Sequence, residues 1–183
     1  RQAEWQELLG LGFLWASRDY VQAGVFFQRA LDLAPQLTDT ALVGHTLNRV
    51  GNWHMNAERP QEAIRYHSEA ARLFVQLDDQ RGRASTLDLL GISHYVAGDF
   101  ARSVELYREA VALFRAAQDR GGIMTALMIG SSRGTALISR TVAPTRSELA
   151  GRVRDCEEGL QIAAAIGARP AEALGHAWLG LNY

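Results

Sequence analysis

Lysine is missing altogether: all 19 basic residues of this 183-residue chain are arginines. That removes a Walker-type phosphate loop, whose lysine must reach the phosphates, and it removes Schiff-base chemistry, which needs an ε-amine. Cysteine occurs once, at Cys156, so no internal disulfide can form, and a cytoplasmic setting is expected. No apolar run approaches the roughly 20 residues that span a bilayer. The first residues also lack the basic-then-apolar order of a secretory signal. The net charge of −1 leaves no electrostatic footprint for nucleic acid. Only 4 prolines interrupt the chain, which is otherwise rich in alanine, leucine, arginine, glutamate and glutamine, all good helix formers.

What is present is a repeat. Ala30, Ala70 and Ala110 sit forty residues apart, and when they are superposed the small residues Ala23, Ala63 and Ser103 superpose too. So do the larger residues Phe27, His67 and Tyr107, and the turns at Arg18-Asp19-Tyr20, Arg59-Pro60 and Asp99-Phe100. Upstream, Val50-Gly51 matches Leu90-Gly91. Each unit reads as helix, short turn, helix. Gly51 and Gly91 have no side chain, so the second helix of the same hairpin is expected to approach closely there. Pro60 suits the first position of a helix, where its missing N–H is an orphan in any case, and Asp99 can cap the helix that follows it. A single hairpin cannot bury its apolar faces, so each must stack on a neighbour.

The stretches "LDLLGISHYVAGDFARSVELYREAV" and "SRDYVQAGVFFQRALDLAP" resemble the tetratricopeptide repeat. The resemblance covers nearly the whole chain. It implies an all-α fold: an α-solenoid of stacked helix-turn-helix hairpins wound as a right-handed superhelix, with about four hairpins plus one extra helix. We expect one domain over 1–183, with units at about 4–36, 44–77, 84–117, 122–168 and a half unit at 171–183. In unit one the register fits if the turn is one residue short, which sets Leu11-Gly12 against Leu90-Gly91. In unit four the halves match only after a nine-residue insertion, "TVAPTRSEL", read as an extended turn in which Pro144 breaks the first helix and Thr145 with Glu148 has capping-box spacing. Shared between two arms, it lengthens each by about one turn. The sequence opens on Arg1 rather than methionine and stops at Tyr183 within a helical pattern, so a segment of a longer protein is expected, its last helix leaving an apolar stripe for missing chain, a partner or self-association to cover.

Candidate chemistry is sparse. His54 and His94 share one position of the repeat, usually aromatic, and are expected to pack between first helices. Cys156 falls on the position of Tyr107 and is expected to fill core. No spacing supports zinc, and neither a catalytic set nor a cofactor site is expected. The resemblance implies that first helices line a concave groove that takes a peptide or helix of a partner. Carried over position by position, the groove candidates are His45, Asn48, Asn52 and Met55, then Ser85, Asp88, Ile92 and Tyr95, then Thr125, Met128 and Ser132. Asn52 in "VGNWH" matches the Leu-Gly-Asn form of repeats that hold a peptide backbone, an amide supplying both donor and acceptor. Ile92 and Ser132 interrupt any ladder of such asparagines. The expected function is a non-enzymatic protein-interaction scaffold that binds a protein, a peptide or a sister domain, with no nucleic acid and no membrane. The alternative is a sensor or autoinhibitory arm of a bacterial multidomain regulator, since the forty-residue period is similar to that of MalT-like proteins and other signalling ATPases.

Overall fold

The computed structural model describes residues 1–136 and 146–180, with side chains described for 1–130, 146–147, 149–177 and 179. The described residues form helices and no strands: α1 (Gln2–Ala16), α2 (Tyr20–Leu33), α3 (Ala41–Asn56), α4 (Pro60–Gln76), α5 (Gln80–Val96), α6 (Phe100–Ala116), α7 (Arg120–Ala136), α8 (Arg146–Ile166) and α9 (Arg169–Gly180). A short 3-10 turn, Ala34–Gln36, follows α2. Packing runs between neighbours in sequence: α1 on α2, α3 on α4, α5 on α6, α7 on α8, with each first helix also resting on the second helix before it. The architecture is a stack of α-hairpins.

From α4 to α7 the backbone repeats every twenty residues. Glu58, Asp78, Gly98 and Gln118 all take a positive φ, between 52° and 86°. At each of these turns the N–H of the next residue reaches back five places, Arg59 to His54, Asp79 to Phe74, Asp99 to His94 and Asp119 to Phe114, at 2.9–3.0 Å. This is the helix-ending bond that a left-handed residue permits. The following helix is capped at once: Asp79, Asp99 and Asp119 accept from the N–H groups of Gly82, Arg102 and Gly122 at 2.8, 3.2 and 2.9 Å. Pro60 occupies the first turn of α4, as its missing N–H permits. The first hairpin departs from the rule. Its turn has no positive φ, and α1 stops four residues past Gly12 where α3 and α5 run five past Gly51 and Gly91.

Small residues set the helix spacing. A Cβ added to Gly12 would lie 2.5 Å from the Phe27 ring, one on Gly51 2.5 Å from His67, and one on Gly91 3.0 Å from Tyr107. All three are contacts within a hairpin. Contacts between hairpins follow the same rule: Trp53 of α3 covers Gly24 of α2, Phe114 of α6 covers Gly122 of α7, and Phe74 of α4 covers Gly82 of α5 while also lying against Gly44 of its own hairpin. Ala23, Ala30, Ala63, Ala70 and Ala110 are wholly buried, and Ser103 nearly so, its hydroxyl donating to the Gly91 carbonyl at 2.8 Å.

In the fourth hairpin α8 has 21 residues where α4 and α6 have 17, so the arm is about one turn longer. It begins at Arg146, so 146–149 belong to the helix and not to the turn, while Pro144 and Thr145 lie outside the described residues. Cys156 is buried, and Ile166 and Leu174 are exposed near the C-terminal end.

A buried polar chain ties α4, α3 and α5 together. The His67 Nδ1–H donates to Asn48 Oδ1 (3.2 Å), Asn48 Nδ2 donates to Thr86 Oγ1 (2.8 Å), and the Thr86 hydroxyl donates to the Gly82 carbonyl (2.8 Å). One hairpin earlier, Trp5 Nε1 donates to Thr46 Oγ1 at 3.0 Å and Thr46 donates to the Leu42 carbonyl at 2.6 Å. Threonines forty residues apart thus each accept a bond from the preceding first helix. His67 has no exposed surface, and burial pushes its pKa down to about 4 from 6.5.

Two predictions test this packing. Gly91→Leu should cost about 1–3 kcal/mol in urea unfolding, whereas Gly10→Ala, where a new Cβ meets nothing within 4 Å, should stabilise by up to about 1 kcal/mol. His67 makes the fold acid-sensitive. The unfolded chain takes up the imidazole proton near pH 6.5 and the folded chain only near pH 4, so stability is full above pH 6.5 and declines as the pH falls towards 4. Between pH 8 and pH 5.5 this amounts to about 1 kcal/mol. Between those pH values the unfolding free energy of wild type, taken from unfolding curves, should fall by about 1 kcal/mol more than that of His67→Phe.

Candidate functional site

The first helices of successive hairpins lie side by side, and their outward faces enclose a groove of about 710 Å³. Its floor and walls come from α1 (Trp5, Leu9), α3 (Leu42, His45, Asn48, Arg49, Asn52), α5 (Arg81, Ser85, Asp88, Leu89) and the start of α7 (Gly121, Gly122, Thr125), with Phe114 and Asp119 closing the far end. Residues three and four apart on a helix share a face, so 45, 48, 49 and 52 on α3 and 81, 85, 88 and 89 on α5 reach the same space. The groove is apolar at the α1 end and polar towards α5.

Of the residues expected from sequence, His45, Asn48, Asn52, Asp88 and Thr125 come together here, with Ser85. His45 is exposed, its ring 5.1 Å from Phe74. Asn48 is 92% buried, at 8% relative exposure, and both ends of its amide are engaged by His67 and Thr86. It shapes the groove wall more than it offers free bonds. Asn52 is half-buried, and its Oδ1 is enclosed with no hydrogen-bond partner among the described residues. The Thr125 hydroxyl donates to the Gly121 carbonyl at 3.0 Å.

Four others lie away from the groove lining. Ile92 is buried in α5, and Met128 is buried against Gly159 of α8 and Gly175 of α9. Tyr95 packs edge-on against Phe100 at 5.5 Å, and Met55 is half-buried. Ser132 lies on α7, with its side chain outside the described residues.

The groove also holds charges that sequence reasoning passed over. Arg81 pairs with Asp119 at 3.1 Å, and the same Asp119 caps α7 through the Gly122 N–H. The Arg49 guanidinium lies 5.1 Å from the centre of the Phe13 ring. The clue to Arg49 was its place beside Asn48 and one turn before Asn52; arginine at one position in one unit leaves no trace in a repeat pattern.

His54 is a packing group: it stacks on Tyr66 (5.1 Å, 17° between planes) and meets Trp53 edge-on at 4.6 Å, and burial, the largest influence, lowers its pKa. His94 faces Asp99 across the turn at 3.2 Å. Among the described residues no three histidine, cysteine or carboxylate side chains gather as a metal site, and no helix is long and apolar enough to cross a membrane.

Comparison with known proteins agrees with this geometry. Residues 42–116 match the tetratricopeptide repeat family. No curated protein matches the sequence. Among solved structures, the chain is similar to BtubC (BKLC) from P. vanneervenii, with 14% identity and a TM-score of 0.61 over 96% of this chain and 80% of that one. It is similar also to the nearly identical TPR-like repeats of a putative kinesin light chain from Podosopora anserina: 12% identity and a TM-score of 0.55 over 95% of this chain and 94% of that one. A single-substitution variant of the latter gives 12% and 0.56 over 96% and 92%. At such identities the likeness is one of fold. Residues 42–116, covering α3 to α6, match the tetratricopeptide repeat family, and the helices on either side continue the same stack.

Proposed function

We propose that this chain is a non-catalytic interaction module whose first-helix groove holds a peptide or helix of a partner protein. Tetratricopeptide repeats serve in general as protein-interaction scaffolds, and the observation that carries the reading here is the open groove of about 710 Å³ formed by three first helices and the start of a fourth. A ligand site of this kind combines apolar surface with a few convergent polar groups. Trp5, Leu9 and Leu42 supply the first, and Asn52, Ser85, Asp88 and Thr125 the second. Arg49 and Arg81 add positive charge to a lining that also holds Asp88 and Asp119, with Arg81 paired to Asp119, and such charges confer orientation and selectivity more than bulk affinity. The partner is another protein or another domain of the same protein, met in the cytoplasm.

Filling the groove tests the reading. Ser85 is exposed on α5 within the groove, so Ser85→Trp should leave the thermal unfolding midpoint within a few degrees of wild type. The same change should weaken binding of any cognate peptide by at least about tenfold in a fluorescence titration. Unchanged affinity would place the binding surface elsewhere.

A further inference from the structure

The groove reading leaves open what kind of segment enters, and one cation in it is set up in an unusual way. Arg49 lies on α3 between Asn48 and Asn52, is exposed, lines the groove and makes no ion pair with any described residue. Arg81, the other arginine of the lining, has its carboxylate in Asp119. On α3 no acid stands within a turn of Arg49: positions 45, 46, 52 and 53 are His, Thr, Asn and Trp.

Phe13 borders the guanidinium. Its ring sits 5.1 Å from the Arg49 Cζ and is itself held edge-on by Phe27 at 5.5 Å and 79°. Phe13 is 52% exposed, so the pair sits at the groove rim in contact with solvent. A cation over a ring is attracted to its face, and the Arg49 N–H donors, in no ion pair with a described residue, stay available for a carboxylate fork. Less side-chain entropy is then lost when an anion arrives.

We infer, resting on the groove reading, that Arg49 on Phe13 is the anchor for an aspartate or glutamate side chain within the bound segment. A side chain fits better than a chain terminus, because the lining continues on both sides of Arg49, to Trp5, Leu9 and Leu42 one way and to Ser85, Asp88 and Thr125 the other. A segment threaded through passes Arg49 in its interior.

The test is selection from a random peptide library displayed with both ends fused, so that no free carboxyl terminus is present, on wild type, Arg49→Gln and Arg49→Lys. Wild type should enrich peptides with an acid at one fixed position, and Arg49→Gln should lose that preference while melting like wild type. A synthetic, end-blocked peptide from the enriched pool should bind Arg49→Gln at least about fivefold more weakly. Arg49→Lys should fall between, and wild-type affinity should drop between 50 and 500 mM salt. Enriched peptides without an acid preference, or equal binding to Arg49→Gln, would overturn the role of Arg49 and leave the groove reading standing. Failure to enrich any peptide, or peptides indifferent to Ser85→Trp, would overturn the groove reading and this inference with it.

Discussion

A ring laid on a glycine is the contact from which this structure is built. Within the first three hairpins the ring comes from the second helix and the glycine from the first: Phe27 on Gly12, His67 on Gly51, Tyr107 on Gly91. Between hairpins Trp53, Phe74 and Phe114 repeat it on Gly24, Gly82 and Gly122. A Cβ on Gly12, Gly24, Gly51, Gly82 or Gly122 would fall 2.2–2.5 Å from the ring, and at Gly91 3.0 Å, and burying a phenylalanine ring stabilises the stack by about 1.5–3 kcal/mol. Phe74 counts twice, because it lies between the first helices of two successive hairpins. With spacing set in this way, the first helices are left side by side, and the groove is the space their outward faces enclose.

The polar chain from His67 through Asn48 and Thr86 to Gly82 does a different job. Apolar packing tolerates small slips of one helix along another, whereas a hydrogen bond of 2.8 Å between buried amide and hydroxyl does not. Asn48 therefore fixes the register of α3 against α5, the two helices that supply most of the groove. A groove residue and a register residue are here the same residue. Met128 is different: its place in the repeat led us to expect it in the groove, yet it fills the space over Gly159 and Gly175 that seats α9.

How much of this was legible in sequence depended on whether a feature needed one residue type. The hairpins, the buried alanines and the Gly51 and Gly91 contacts were legible because only small side chains fit there. The twenty-residue period was not. Its left-handed turn residues are Glu58, Asp78, Gly98 and Gln118, which share no composition, since a stable neighbouring helix on each side can carry a modest backbone strain. Of the positions named from sequence, His45, Asn48, Asn52, Ser85, Asp88 and Thr125 come together between the first helices. Ile92 and Met128 lie elsewhere because both are buried, Met128 against Gly159 and Gly175 of the helices that follow it. Arg49 and Arg81 were passed over because charge on a helix face defaults to solvent, and only the neighbouring helices reveal that this face is shared.

The central claim is that rings on glycines carry the stack, and Phe74 is where it is most exposed to test. Phe74→Ala removes a fully buried ring that touches Gly44 of its own hairpin and Gly82 of the next. Urea unfolding followed by tryptophan fluorescence and by helical circular dichroism measures the outcome directly. The expected result is a loss of about 3–5 kcal/mol, with both signals shifting together because two hairpins are loosened at once. A loss under about 1 kcal/mol would show that the hairpins are held by something else, and would contradict the account.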